Sequence, residues 1–203
     1  MTPMRARTLA TSLVVALAGA GCGGGGDSAP PNCLQVQPCG GNVVGTWSLL
    51  GVCFSERYRM KASDSLAAVC PGASIDTFDI DVSGTITFNA DLTYVSNVHE
   101  TVSATERIPL SCLGGFASCA EVTSSSPEST LTCTGTTMCT CHASGMPTGD
   151  ETGTYATSGT SLSMTDPNST STDAYCVEQN RLHVIGIDDT TGEILGDFVG
   201  QKQ

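Results

Sequence analysis

The sequence predicts an all-β body, an antiparallel barrel of eight to ten strands with one short helix and a cysteine-rich inserted loop. Three observations predict it. Charged residues make up only 14% of the chain and aromatic ones 5%, while 23 Gly stand among abundant Ser and Thr, all weak helix formers. Past residue 42 the apolar residues fall mainly at alternate positions, in short runs divided by turn residues. Several of these runs join into hairpins whose loop lengths keep their apolar faces together, and a slip of one residue would undo that match.

The helix is expected between Glu56 and Val69, where Cys70-Pro71-Gly72 ends it. Candidate strands run near 43–53, 74–82, 85–89, 92–110, 129–134, 152–158, 160–165, 173–178, 181–188 and 193–200. Phe78, Ile80 and Val82 share one face, as do Ile86 and Phe88. Joining those faces through Ser83-Gly84-Thr85 calls for a three-residue turn with Gly84 left-handed, Val82 facing Ile86 and Ile80 facing Phe88. Ser158-Gly159 makes a two-residue turn that matches Tyr155 with Leu162. Gln179-Asn180 makes a third, setting Val177 against Leu182, Tyr175 against Val184, and Glu178 opposite Arg181. The stretch 112–151, rich in Ser, Thr, Gly and Cys, reads as a loop inserted between strands.

Net charge is −12, from 20 acidic and 8 basic side chains, which argues against a nucleic-acid partner because a phosphate backbone needs clustered Lys and Arg. The N-terminus reads as a targeting signal, residues 1–21. Arg5 and Arg7 precede an uncharged apolar run from Leu9 to Ala18, too short to span a bilayer, then the small residues Gly19, Ala20 and Gly21. Cleavage after Ala20 is one reading of this exit. The other is a resemblance: Leu17-Ala-Gly-Ala-Gly-Cys22 resembles the lipobox of bacterial lipoproteins, with Gly19 where a Leu is usual. That resemblance implies that Cys22 becomes a lipidated first residue. The Gly-Gly-Gly-Gly-Asp-Ser-Ala-Pro-Pro that follows suits a tether, assigned to residues 22–42, ahead of a single body, 43–203. Such a chain would hold the membrane through lipid and not through charge. Gly23 is not the aspartate that retains lipoproteins at the inner membrane, so the same resemblance implies the outer membrane of a bacterial cell envelope.

The body carries a second resemblance. Gly45-Thr46-Trp47 is similar to the G-x-W that opens the first strand of lipocalins. Gly84-Thr-Ile-Thr-Phe-Asn-Ala-Asp-Leu-Thr-Tyr94 and Tyr175-Cys-Val-Glu-Gln-Asn-Arg-Leu182 resemble two hairpins of bacterial lipocalin-like lipoprotein domains, with Leu92 and Gln179 where those have Gly. The resemblance implies a lipocalin-like barrel, with a small apolar molecule as ligand and Trp47 as a plug at the barrel base. A ligand-stacking ring is the other use of Trp47.

Eleven cysteines point to an oxidising compartment. Setting Cys22 aside leaves Cys33, Cys39, Cys53, Cys70, Cys112, Cys119, Cys133, Cys139, Cys141 and Cys176 as disulfide candidates, an even number. Five of them lie between 112 and 141, so at least one must bond outside that stretch. Within it, Cys112 is expected to close on Cys119, and Cys139 or Cys141 on Cys133. Cys139-Thr-Cys141-His142 is also a metal-ligand pattern, although zinc sites favour a longer spacing than one residue. Asp166-Pro-Asn168-Ser-Thr170-Ser-Thr172-Asp173 offers alternate oxygen ligands for calcium without the central Gly and final Glu of an EF-hand, and reads better as a solvated turn. His99 and His183 read as surface residues, His183 beside Cys176 on the outer face of the barrel. No G-x-S-x-G elbow, H-E-x-x-H or phosphate loop is present, so no catalytic site and no cofactor are expected. Two functions fit: an envelope lipoprotein binding a small apolar molecule, or a structural or protein-interaction lipoprotein whose barrel is filled.

Overall fold

The computed structural model describes residues 33–125, 129–145 and 148–203. The signal segment 1–21, the lipidation candidate Cys22 and the tether as far as residue 32 lie outside them. The described chain divides into two compact units, one of 33–58, 80–101 and 148–203, the other of 59–79 and 102–145. No described helix is long and apolar enough to cross a membrane.

The first unit is a closed barrel of eight antiparallel strands. Its elements are β1 (Gly45–Phe54), the last part of β2 (Ser74–Phe88), the first part of β3 (Thr93–Pro109), β7 (Thr148–Ser158), β8 (Ser161–Thr165), β9 (Thr170–Glu178), β10 (Arg181–Ile187) and β11 (Ile194–Lys202). Neighbours follow the order β2-β1-β11-β10-β9-β8-β7-β3, and β3 returns to pair with β2. Period-two alternation decides which side chains face in. Trp47, Phe88, Tyr94, Tyr155, Tyr175 and Leu182 are buried together inside the barrel.

The hairpins agree with the sequence to different degrees. Gln179 (φ 48°) and Asn180 (φ 63°) both adopt the left-handed conformation of a tight two-residue turn. Glu178 then faces Arg181, Val177 faces Leu182 and Tyr175 faces Val184, as expected. The β7–β8 turn sits one residue later than expected, on Gly159-Thr160, with Ser158 opposite Ser161 and Tyr155 opposite Met164, not Leu162. Gly159 (φ 59°) takes the first turn position, in the left-handed region that glycine enters without steric cost.

The expected turn at Ser83-Gly84-Thr85 does not form. β2 runs unbroken through it, so Val82 and Ile86 follow each other on one strand rather than facing across two. Gly84 is still required: it has φ 117°, and a Cβ there would stand 2.0 Å from the Asn97 carbonyl oxygen of β3. A close approach of backbones, not a reversal, needs the glycine. The chain turns instead after Phe88, where the Asp91 carboxylate accepts the Thr93 N–H at 3.1 Å and Leu92 adopts φ 67°.

The helix α1 (Glu56–Val69), which lies in the second unit from Arg59 on, matches the expected helix in both bounds, and Leu66 is its buried residue. The expected inserted loop is largely sheet. β4 (Thr123–Ser125), β5 (Ser129–Gly135) and β6 (Met138–Gly145) follow two 3₁₀ turns, Leu110–Cys112 and Cys119–Glu121, and stack beside the end of β3 in the order β3-β6-β5-β4. Cysteine is the residue that restores the alternation here. Leu131, Cys133, Cys139 and Cys141 belong to the unit's apolar cluster, while Thr130, Thr132, Thr134 and His142 are exposed.

All ten disulfide candidates are paired: Cys33–Cys53, Cys39–Cys176, Cys70–Cys112, Cys119–Cys139 and Cys133–Cys141. Cys133–Cys141 was among the expected bridges, and these residues stand directly opposite each other on β5 and β6. Cys112–Cys119 does not form. The Cys112 turn is bonded to the end of α1 through Cys70, and Cys119 is sealed under β6 by Cys139.

Glu106 shares the buried face of this sheet, 2% exposed and opposite Cys141. Burial pushes its carboxyl above the usual glutamate pKa. The folded state therefore keeps this proton to higher pH than the unfolded chain does. Stability falls as pH rises from the unfolded value, about 4.3, through the raised folded one. Glu106→Gln is expected to raise the thermal midpoint at neutral pH and to lose that advantage in acid below the ordinary carboxyl range. Thermal unfolding of both proteins across pH checks this.

Candidate functional site

The barrel interior is the place where the resemblance implies a ligand, and aromatic side chains pack together inside it. Phe88 and Tyr155 meet edge to face at 4.9 Å between ring centroids. Trp47 is fully buried, and its indole N–H donates to the Val43 carbonyl at 2.7 Å. The Tyr155 hydroxyl donates to the Asn89 carbonyl at 2.8 Å and the Tyr175 hydroxyl to that of Gly41 at 2.9 Å. Each of these polar ends is therefore spent on nearby main chain. Lys202 closes over the Trp47 ring at 5.2 Å and donates to the Val44 carbonyl. Burial, helped by the charges of Glu151 and Asp166, raises the Tyr94 phenol above its ordinary pKa, and Tyr94 stays neutral.

A second site lies on the outer wall of the same unit. Residues 33–42, assigned to the flexible tether, are bound to the barrel. Cys33 is linked to Cys53 on β1, the Leu34 N–H donates to the Asp197 carboxylate of β11 at 3.1 Å, and Val36 packs with Ile185 of β10. Cys39 is then linked to Cys176 on β9. Because β1, β11, β10 and β9 are neighbours in that order, these residues form a strap across four strands.

Under the strap lie His183 and Asp197. Parity does put His183 outside the barrel and beside Cys176, as the sequence implied. It is not a surface residue, however: the strap reduces its exposure to 0%. His183 Nδ1 lies 2.9 Å from the Asp197 carboxylate, which orients the ring, and its Nε2 is buried without a hydrogen-bond partner. The sequence carried one signal for this arrangement. Two cysteines in a supposed tether must bond to something, and the partners they find place the tether on the wall. Nearby, the buried Asp188 accepts the Thr190 and Thr191 N–H groups, at 2.9 and 3.3 Å, and lies 3.9 Å from Arg57 Nε.

The other candidates are placed plainly. Cys139 and Cys141 are consumed by disulfides, and His142 is exposed with its Nδ1 3.1 Å from the Thr105 hydroxyl. The Asp166 carboxylate accepts the main-chain N–H groups of Asn168 and Ser169 and the Ser169 hydroxyl; these bonds, the hydroxyl's first, lower its pKa and close a solvated turn. His99 is exposed on β3. With the cysteines oxidised, no group of three His, Cys, Asp or Glu among the described residues is arranged to hold a metal ion. Comparison with known proteins finds no matching family model, no matching curated protein and no matching solved structure.

Proposed function

We propose that the chain is an exported lipoprotein of the bacterial cell envelope, acylated at Cys22 and held at the outer membrane, whose filled barrel is a scaffold for contact with a protein partner. The observation that carries this reading over a carrier of small apolar molecules is the barrel interior. Its aromatic side chains pack on one another, and the polar ends of Trp47, Tyr155 and Tyr175 are bonded to main-chain carbonyls. The basic start, the short apolar run and the glycines after Cys22 support export and anchoring. The second unit, braced by three disulfides and exposing Met60, Val69 and Met138, supplies the contact surface.

Three measurements test the reading. The intact mass of protein from a bacterial host is expected to show acyl chains on Cys22, and Cys22→Ser to release the protein from membranes. Unmodified mature protein starting at Gly21 would overturn the anchor. A fluorescent fatty acid titrated into the purified protein is expected to show no saturable binding. Saturable binding that quenches Trp47 would restore the carrier reading.

A further inference from the structure

The strap brings together a set of donors that neither function uses. Cys176 and His183 are directly opposed across β9 and β10, and opposed side chains leave their Cβ atoms about 5 Å apart. Cys39 sits over Cys176 with 4.5 Å between their Cα atoms. The disulfide is not all that holds it there. The N–H groups of Cys39 and Gly40 donate to the Tyr175 carbonyl at 3.1 and 2.9 Å, and the Val177 N–H donates to the Gly40 carbonyl at 2.8 Å. The Tyr175 hydroxyl adds a bond to the Gly41 carbonyl. These bonds flank the disulfide on both sides and hold the strap to β9 without using either sulfur.

His183 completes the arrangement. Its Nδ1 is committed to the Asp197 carboxylate, whose other contact is the Leu34 N–H, while its Nε2 is buried and unpartnered. An imidazole oriented by a carboxylate through one nitrogen, with the other left open, is the usual state of a metal-bound histidine. Two cysteines and one histidine are also a known zinc ligand set with a fourth position free for water. A buried nitrogen lacking any partner otherwise weakens the fold for no return.

We propose that the Cys39–Cys176 disulfide masks a metal site, and that its reduction lets Cys39, Cys176 and His183 Nε2 bind a thiophilic divalent cation such as Zn²⁺, with Asp197 as the positioning residue. The reductant is a dithiol. Its two sulfurs become a disulfide, and two electrons and two protons pass to Cys39 and Cys176. The thiols lose their protons to solvent as the metal binds. This inference rests on the outer wall of the barrel and is independent of what the interior or the anchor does.

Cobalt(II) is the probe, because thiolate ligation gives it near-ultraviolet charge-transfer bands and tetrahedral geometry gives it intense visible ones. The full chain is partially reduced with dithiothreitol and freed of it. The species with Cys39 and Cys176 open is isolated on a thiol-affinity matrix and identified by peptide mass. Stoichiometric Co²⁺ is expected to bind this species with both sets of bands and not to bind the oxidised protein. Asp197→Asn is expected to weaken binding by about 10- to 100-fold, and His183→Ala to weaken it further and change the visible bands. Alkylating the two thiols of the wild-type protein, which requires no mutation to fold, is expected to erase every band. Bands that survive alkylation, a spectrum and affinity unchanged in His183→Ala, or a Cys39–Cys176 bond that opens only when the whole chain unfolds would each overturn the proposal.

Discussion

Replacing Trp47 by alanine is expected to lower the stability of the barrel by about 3–5 kcal/mol, the range for emptying a large aromatic site in a core. The lone tryptophan of the chain is fully buried among Leu49, Phe88 and Leu182, so the space it leaves is walled by packed side chains that have little room to collapse. The loss is compounded at its polar end. Truncation removes the donor for the Val43 carbonyl and the ring beneath the Lys202 ammonium. Trp47→Phe keeps most of the volume and loses the N–H, so a smaller drop, about 1–3 kcal/mol, is expected. Urea unfolding followed by circular dichroism measures both, since the variants lack the fluorophore. A Trp47→Ala protein as stable as the parent would mean that the barrel interior is not the packed core described above.

The second large effect belongs to a covalent bond. Serine at both Cys39 and Cys176 is expected to cost about 4–5 kcal/mol, against about 2.5 kcal/mol for the same change at Cys133 and Cys141. The difference follows from the chain each bridge closes, a separation of 137 residues in one case and 8 in the other. Long closures remove more freedom from the unfolded chain, and the strap's main-chain bonds do nothing to restore that constraint once the chain is unfolded. Equilibrium unfolding of the two double variants, with the remaining bridges verified by mass, gives the comparison. Equal losses would contradict the entropic account and point to strain or contacts in the folded state.

The elements legible in the sequence are those whose signals are local. Gln179-Asn180 between two alternating runs can only reverse the chain, and α1 has its stop written in Cys70-Pro71-Gly72. Gly84 shows how a local signal misleads. Ile80, Val82, Ile86 and Phe88 all have even numbers, so an odd loop and an uninterrupted strand satisfy the same parity. The choice between them lies in the Asn97 carbonyl that crowds Gly84, which is distant in sequence. In 129–145 the pattern was present but hidden, because cysteines take the inward positions that Val or Ile would hold elsewhere. The candidate site was legible only in part. Alternation placed His183 beside Cys176 and outside the barrel, but its cover comes from residues about 145 positions earlier, joined to it by pairings that sequence spacing does not encode.

The strap also decides where mechanical load enters the barrel. Tension pulling on the chain ahead of Cys33 reaches the wall at Cys53 through a covalent link before it can stretch any hydrogen bond made by residues 34–42. Peeling, the mode in which bonds fail one after another from a free end, is thereby blocked. The wall of β1 and β11, sharing the force over many bonds in parallel, becomes the first part of the molecule to resist it.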